Sequence, residues 1–227
     1  METILVVDPA WREASAGASF GLLALRGVRN PAADAAMAAE AERLEREVRE
    51  RFGALDQATL RATPPLPAYA AWYKRFGQRY HVMMQLESVA MKGKPVPRGA
   101  ALVEAMFVAE LRTLVLTAGH DLEVIALPVV LGLGSGEERF TTPGGKEGIV
   151  KAGDMFARDG GGVLSAVVTG PSDRARIGPG TTAALFVAYA PPGVPADLLA
   201  AHLDEIERLT RLVAPAAERV AREVVSA

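Results

Sequence analysis

The feature that most constrains this chain is a series of apolar runs, separated by glycine-rich turns, in its second half. The runs are rich in valine, isoleucine and other apolar residues, and they cover residues 125–133, 148–150, 163–169 and 184–190. The glycine-rich turns lie at residues 132–136, 144–145, 160–162 and 178–180. β-Branched runs favour strands, and glycine-rich turns favour hairpins between them. The pattern predicts a β-meander or a β-sandwich.

Other strands and helices are predicted around this region. Residues 3–7 and 20–28 should form strands joined by a small-residue loop, and Asn30 should cap a helix that ends at Gly53. Residues 63–67 are rich in proline and predict an extended linker or a redirection of the chain. Apolar spacing predicts four further helices: residues 68–76, 81–91, 100–116 and 195–225. Pro215 should kink the last helix or split it in two. Because helices and strands are segregated, the predicted class is α+β with largely antiparallel sheets, flanking helices and a long C-terminal helix.

Composition narrows the range of functions. The chain has 25 basic and 27 acidic residues, a formal net charge of −2, and therefore lacks the basic excess typical of dedicated nucleic-acid binders. No DNA partner is expected, and any RNA contact should be local. The sequence has no cysteine and three histidines, which do not form a recognisable ligand set, so neither a metal site nor a cofactor is expected. No apolar segment approaches the roughly 18–20 residues needed to span a bilayer, and the first residues lack the basic region of a signal peptide. A cytoplasmic protein is expected.

Several stretches occur in an order and spacing that match a known family. These are an aromatic-Tyr-x-x-Phe-Gly run at residues 72–77, a Ser-Val-Ala and Lys-Gly-x-x-x-Pro pair at 88–97, a Leu-Val-Glu at 102–104, an Asp-Leu at 121–122, and a weaker Asp-Arg-x-Arg-Ile with a following threonine at 173–181. In these stretches the chain resembles the B3/B4 domain of the bacterial phenylalanyl-tRNA synthetase β chain, in its small free-standing form.

The resemblance implies a single B3/B4-like unit over residues 1–227. Within it, residues 1–63 would supply the N-terminal strands and helix, residues 68–190 the core, and residues 195–227 the C-terminal helix. In the synthetase this domain hydrolyses tyrosine mischarged on the phenylalanine tRNA, by attack of water on an ester carbonyl. The resemblance therefore implies an aminoacyl-tRNA or amino-acid-like small molecule as the partner.

The histidine and aspartate at positions 120 and 121 are the only adjacent base and carboxylate, and they are the catalytic candidates. A capping role for Asp121 is the alternative. His81 and His202 favour structural roles. The ligand-binding candidates that the resemblance implies are Phe107, Thr169, Asp173, Arg174, Arg176 and Thr181.

Two positions depart from the family pattern. Phe107 and Ala118 stand where the family has a polar asparagine and, in the synthetase form, a histidine. Two hypotheses are therefore open. The first is that the chain binds an aminoacyl group, an amino acid or a tRNA 3′ end, with or without hydrolysing mischarged aminoacyl-tRNA in trans as a deacylase. The second is that it has lost editing and serves as a non-catalytic small-molecule-binding or interaction module.

Two further motifs have alternative interpretations. The Gly-Leu-Gly-Ser-Gly run at residues 132–136 follows a strand like a phosphate loop, but it lacks the Lys-Ser/Thr of such loops and is followed by Glu137 and Glu138, which favours a hairpin turn. Trp72, Tyr73 and Phe76 could stack on a substrate ring, although at helical spacing they favour a core role.

Overall fold

A computed structural model of the protein describes residues 3–227, and it contains two β-sheets that pack face to face with helices outside one of them. The helices are α1 Pro9–Ala14, α2 Ala35–Phe52, α3 Gln57–Arg61, α4 Leu66–Lys74, α5 His81–Ala90, α6 Ala101–Thr113 and α7 Ala196–Val213. The strands are β1 Leu5–Val7, β2 Ser19–Arg26, β3 Leu116–Asp121, β4 Val129–Leu133, β5 Arg139–Thr141, β6 Glu147–Ile149, β7 Met155–Asp159, β8 Gly162–Ala166, β9 Gly170–Pro171, β10 Ala183–Ala190 and β11 Glu218–Ser226. The predicted α+β class with antiparallel sheets is confirmed.

The first sheet has the order β11-β2-β10-β3, and all its neighbouring strands are antiparallel. Every residue of β10 is buried, because α7 covers one face of the sheet and the second sheet covers the other. Gly21 on β2 allows α7 to approach closely, since a Cβ at this position would lie 3.0 Å from Leu203 Cδ1. The fully apolar sequence of β10 therefore reflects burial on both faces.

The second sheet has the order β1-β4-β7-β8-β9. β1 is parallel to β4 and the other pairs are antiparallel. A separate hairpin of β5 and β6 lies beside it. β1 and β11 are the outer strands of their sheets, and each pairs on one side only within residues 3–227.

An ion-pair network joins the three long helices on the outside of the first sheet. Glu40 on α2 accepts hydrogen bonds from Arg43 at 2.6 Å and Arg112 at 2.9 Å, and it also pairs with Arg208. Burial alone would raise the pKa of Glu40, but the hydrogen bonds from Arg43, Arg208 and Arg112 outweigh it and lower the pKa to about 2. Arg112 also pairs with Glu205 on α7. A shared set of charges therefore holds α2, α6 and α7 together.

The predicted N-cap of α2 is wrong. Asp34 caps this helix, accepting from the N–H groups of Ala36 at 3.0 Å and Met37 at 3.1 Å. Asn30 serves a different helix, because its side-chain oxygen accepts from the N–H of Leu102 in the first turn of α6 at 2.9 Å. The capping chemistry of Asn30 was predicted, but its partner lies about 70 residues away in sequence.

The predicted extended linker at residues 63–67 is also wrong. Helix α4 begins at Leu66 with Pro67 in its first turn, where the missing N–H of proline leaves no helical hydrogen bond unmade. The loop predicted between the first two strands is preceded by α1, which Asp8 caps. Strands β5 and β7 were not predicted.

The predicted helix over residues 195–225 is confirmed over Ala196–Val213, and its continuation is wrong. After Pro215 the chain forms β11, which pairs antiparallel with β2 along its length. The predicted helix over residues 100–116 ends at Thr113, since Leu114 adopts a left-handed conformation with φ of 62° and the chain then enters β3. Within residues 3–227, none of the helices has the length and apolar character needed to cross a bilayer.

Candidate functional site

The two catalytic candidates lie on opposite faces of β3. His120 points between the two sheets and is fully buried. Asp121 accepts hydrogen bonds from the Thr181 hydroxyl at 2.7 Å and the Glu123 N–H at 3.0 Å. Neighbouring residues of a strand point to opposite faces, so a histidine and an aspartate that are adjacent in sequence do not form a dyad here.

His120 belongs to a buried polar chain with Ser165 and Tyr189. The Tyr189 hydroxyl donates to the Ser165 carbonyl oxygen at 2.9 Å, which uses its single proton. It must therefore accept from the Ser165 hydroxyl, which lies 2.9 Å away. With the Ser165 proton directed to Tyr189, Ser165 Oγ is the acceptor for His120 Nε2, which lies 3.1 Å away.

This arrangement of protons does not activate a nucleophile. In nucleophilic catalysis the histidine accepts the serine proton, whereas here His120 donates to Ser165 and the serine proton is held by Tyr189. Burial, together with the nearby Arg174 charge, lowers the pKa of His120 to about 4, so the ring is neutral at pH 7. The three side chains form a buried polar link between the sheets, in which His120 Nδ1 has no hydrogen-bond partner among the described residues.

Asp121 holds the connection that follows β3. The N–H that it accepts from belongs to Glu123, in a 3-10 helix spanning Leu122–Val124, which matches the capping alternative. Thr181, one of the predicted ligand-binding residues, donates to Asp121 and accepts from the Gly178 N–H at 2.9 Å. Both groups of this pair are therefore occupied within the protein.

The two arginines among the predicted ligand-binding residues differ in whether their side chains are already engaged within the protein. Arg174 donates to Asp159 at 2.5 Å, and Asp159 also accepts from the N–H groups of Ala126 and Gly161, each at 2.8 Å. This arginine holds two loops together. Arg176 lies 3.5 Å from Asp173, and its side chain is 65% exposed, so its guanidinium can reach solvent.

The remaining two predicted ligand-binding residues lie apart from these. The Thr169 hydroxyl donates to the Ile149 carbonyl at 2.8 Å, beside the β5–β6 hairpin. Phe107 on α6 is half-buried and packs against the main core. The structure brings Asp121, Thr181 and the 173–176 segment together, and it does not bring Phe107 or Thr169 into a common cavity with them.

A cleft of about 880 Å³ lies elsewhere, where the β1 and β11 edges of the two sheets meet. One wall is β11, and the opposite wall is formed by the start of the chain together with the connection from β3 to β4. Its apolar lining includes Ile4, Leu5, Leu122, Ile125, Leu127 and Ala221. Its charged lining consists of Arg26, Arg222, Glu123 and Glu223.

The register of β11 determines which of its side chains face this cleft. Ala221 and Glu223 pair with Ala24 and Leu22, on the face of β2 that is turned towards the second sheet. Arg222 points to the opposite face, where it contacts Asp204 on α7 at 2.8 Å. Ala221 and Glu223 therefore point into the cleft, whereas Arg222 forms only its border.

The cleft residues were not predicted from the sequence. Those on β11 were assigned to a helix, because residues 218–226 also have apolar residues at helical spacing. Pro215, followed by the β-branched Val220, Val224 and Val225, was the available signal for a strand. Within residues 3–227, no group of three or more histidine, aspartate or glutamate side chains could hold a metal ion.

Comparison with known proteins gives a distant structural resemblance. No protein-family model matches the chain, and neither does any curated protein sequence. A solved structure that is similar is an N-terminal fragment of the phenylalanyl-tRNA synthetase β-subunit from Pyrococcus horikoshii, with a TM-score of 0.49 and 13% sequence identity. The matched region covers 99% of this chain and 50% of that one, so the chain spans about half the length of the fragment.

Proposed function

We propose that the protein binds an aminoacyl group or an amino-acid-like small molecule in the cleft between β1 and β11, without hydrolysing it. The observation that carries the proposal is the cleft itself. Its volume of about 880 Å³ is within the range of about 300 to 1,000 Å³ that small-molecule sites occupy. Aliphatic side chains line it, and a few charged groups stand around them, as a ligand with an apolar side chain and a polar head requires.

The buried polar chain supports binding without catalysis. Ser165 and His120 are inaccessible, and their protons are arranged as in a structural network. Phe107 and Ala118, which replace polar residues of the B3/B4 pattern, favour the same interpretation. Hydrolysis of mischarged aminoacyl-tRNA in trans is the competing hypothesis.

The proposal includes the chain's organisation and its partners. One hydrophobic cluster runs from Ile4 to Ala217, which supports the N-terminal segment, the B3/B4-like core and the C-terminal segment acting as a single unit. With a net charge of −2, the protein would contact a tRNA only through its aminoacyl end. We propose that it works in the cytoplasm, where such ligands occur.

Isothermal titration calorimetry with a panel of ligands tests the proposal. The panel contains leucine, phenylalanine and tyrosine, each as the free amino acid and as the methyl ester. At least one member should bind, and Ala221→Trp should weaken its affinity about tenfold or more. A tenfold change requires a loss of only ~1.4 kcal/mol of binding free energy. Leu212→Trp is the matched control, because Leu212 is on α7, outside the cleft lining, and is 38% exposed.

Two outcomes would contradict the proposal in different ways. If no member of the panel binds, or if both tryptophan variants weaken binding equally, the cleft is not the site. A deacylation assay with tyrosyl-tRNA and other mischarged tRNAs separates binding from catalysis. If the protein accelerates release of the amino acid from a mischarged tRNA and His120→Ala abolishes this acceleration, the protein is a deacylase. The proposal that it binds its ligand without hydrolysing it would then be refuted.

A further inference from the structure

We propose that the cleft binds a short peptide in an extended conformation, as an added strand on the free edge of β11. This inference rests on the proposed function, because it uses the same cleft, and it specifies the class of amino-acid-like ligand. It follows from the path of the cleft along β11, from the backbone groups that this edge leaves unpaired, and from the charges of the lining.

The cleft runs along the edge of β11. Four consecutive residues of this strand, Val220–Glu223, line it. Neighbouring residues of a strand point to opposite faces, so a cavity that all four of them line lies beside the strand and not over one of its faces. Among the described residues, β11 pairs only with β2, so its other edge is free. The cleft therefore gives a ligand access to the backbone of β11.

This free edge leaves backbone groups unpaired. In an edge strand, alternate residues turn their N–H and C=O groups away from the neighbouring strand. Within residues 3–227, no hydrogen bond other than those to β2 involves a backbone N–H or C=O group of Val220–Glu223. An extended peptide beside β11 would pair with these groups, as peptides do when they add a strand to the edge of a sheet.

A bulge in β11 sets the length of the peptide. The register with β2 shifts between Arg219 and Ala221, so regular pairing begins at Ala221, and the lining of the cleft reaches no further than Glu223. An added strand can therefore pair over about three residues within the cleft. The edge of β1, which also borders the cleft, is less suited to pairing, because β1 has three residues and β11 has nine.

The side chains of such a peptide would have an apolar wall to contact. Alternate residues of an added strand would point into the cleft, where Ile4, Leu5 and Leu127 form part of the lining. Val220 also lines the cleft and is 48% exposed, and an added strand would cover it. The volume of about 880 Å³ is near the upper end of the range of about 300 to 1,000 Å³ for small-molecule sites, which suits several residues better than one.

The unpaired charges of the lining have both signs. Across residues 3–227, Arg26 has no acidic group within 4.0 Å, and neither Glu123 nor Glu223 has a basic one. A short peptide with free ends carries one charge of each sign, and it therefore matches this lining. A nucleic-acid strand carries only negative charges along its backbone and does not.

The spacing of two of these charges favours a peptide over a single amino acid. Glu223 stands opposite Leu22, which is four residues from Arg26 on β2, a distance of about 13 Å along the strand. The two ends of an extended tripeptide lie about 10 Å apart, whereas the charges of a single amino acid lie on adjacent groups. The side chains of Arg26 and Glu223 can close the remaining gap.

The first test varies the length of the peptide at constant charge. Leucine, dileucine and trileucine each carry one ammonium group and one carboxylate. In calorimetry, trileucine should bind about tenfold or more tightly than leucine, as two or more added backbone hydrogen bonds would give, and dileucine should lie between them. Equal affinities for the three ligands would refute the added strand.

The second test removes the backbone donors of the peptide one at a time. Successive N–H groups of a strand point to opposite edges, so only one of the two amide N–H groups of trileucine can face β11. Trileucine methylated on its second nitrogen and trileucine methylated on its third nitrogen are therefore matched controls for each other. One should bind about tenfold or more weakly than trileucine, because the methyl group removes a donor and obstructs the edge, and the other should lose at most about threefold. If methylation at the two positions has the same effect, pairing at a strand edge is ruled out.

Amide hydrogen exchange followed by NMR locates the peptide. Saturating trileucine should slow the exchange of the outward-facing amides of Val220–Glu223 about tenfold or more, and saturating leucine should not. Protection of β1 alone would contradict pairing with β11. Sedimentation velocity should show a monomer without peptide, and a dimer that trileucine dissociates would assign this edge to a second copy of the chain instead.

The outcomes distinguish this inference from the function on which it rests. If trileucine binds no more tightly than leucine while Ala221→Trp weakens the binding of both, the added strand is refuted and binding in the cleft stands. If neither the peptides nor any amino acid or ester of the panel binds, both the inference and the proposed function are refuted.

Discussion

Replacing His202 by glutamine should change how the protein's stability depends on pH. His202 on α7 is completely buried between two threonines. Thr113 Oγ1 donates to the Ala109 carbonyl at 2.9 Å, so it accepts from His202 Nδ1, which lies 2.7 Å away. The other ring nitrogen, Nε2, then accepts from the Thr117 hydroxyl. The neutral ring has one donor and one acceptor, and both are satisfied.

The size of the effect follows from the pKa of this ring. Burial lowers the pKa of His202 to about 3, against about 6.5 in an unfolded chain. The unfolded state therefore takes up a proton as the pH falls below 6.5, while the folded state does not until about pH 3. The contribution of the neutral His202 to the free energy of unfolding is therefore fully present above pH 6.5, and it is lost as the pH falls from 6.5 to 3. At pH 5 the loss is about 2 kcal/mol, because each unit below 6.5 costs about 1.36 kcal/mol.

Two buried carboxyl groups act in the opposite direction in the wild type. Burial raises the pKa of Glu110 to about 8 and that of Asp154 to about 6. The folded protein therefore becomes more stable, through these two groups, as the pH falls. The pH profile of the wild type alone is therefore not informative. Comparing the wild type with His202→Gln cancels these contributions, because both proteins contain them.

Urea unfolding of both proteins at pH 7.5 and pH 5 measures the effect. At pH 7.5 the variant should be about 1–3 kcal/mol less stable, because glutamine cannot reproduce both threonine contacts. At pH 5 the difference between the proteins should shrink by about 2 kcal/mol. Leu212→Ala, a non-titrating change at an exposed position of the same helix, should give the same difference at both pH values. If the stability difference between the wild type and His202→Gln were the same at pH 7.5 and pH 5, the conclusion that His202 is buried in its neutral form would be refuted.

Two further predictions concern the core around β3. Ser165→Ala removes the acceptor of His120 Nε2–H and the donor to the Tyr189 hydroxyl. In urea titrations it should lower the free energy of unfolding by about 1–3 kcal/mol, and it should leave cleft binding unchanged. An unchanged free energy of unfolding would contradict the proton arrangement. Gly119→Ala would place a Cβ 2.5 Å from Met106 Sδ and 2.8 Å from Ile177 Cδ1. Because both atoms are at the ends of flexible side chains, we expect a destabilisation of about 1 kcal/mol or less, seen as a slightly lower Tm. A loss well above this would show that neither side chain can turn away from β3.

The elements that the sequence predicted well are those whose signal is local. Strands β8 and β10 nearly coincide with apolar runs that were predicted between glycine-rich turns, and α7 carries an apolar stripe at helical spacing. The end of α2 at Gly53 was also predicted correctly. In each of these segments, the residues that decide the conformation are neighbours in the chain.

The elements that were predicted wrongly depend on distant partners. Strand β11 has apolar residues at helical spacing, yet pairing with β2, about 200 residues earlier, makes it a strand. Strand β3 was not predicted and the preceding helix was extended to residue 116, because the left-handed turn at Leu114 uses a residue that rarely adopts this conformation. No local pattern marks either change.

The candidate site shows the same division. The pair of His120 and Asp121 is conspicuous in the sequence, but strand geometry turns the two side chains to opposite faces. The cleft combines Ile4 and Leu5 with Ala221 and Glu223, which lie at opposite ends of the chain. Residues that meet only when two sheet edges come together leave no spacing that a single sequence can reveal.

The sequence by itself therefore determined the α+β class, the helical middle and the antiparallel strands of the second half, because hydrophobic periodicity and turn residues act over a few neighbours. The tertiary structure alone decided that the last segment is an edge strand, that His120 is a buried link between sheets, and that a charged cleft opens beside β11. These features depend on which surfaces pack together, and that choice is made by the burial of the whole core rather than by any local segment.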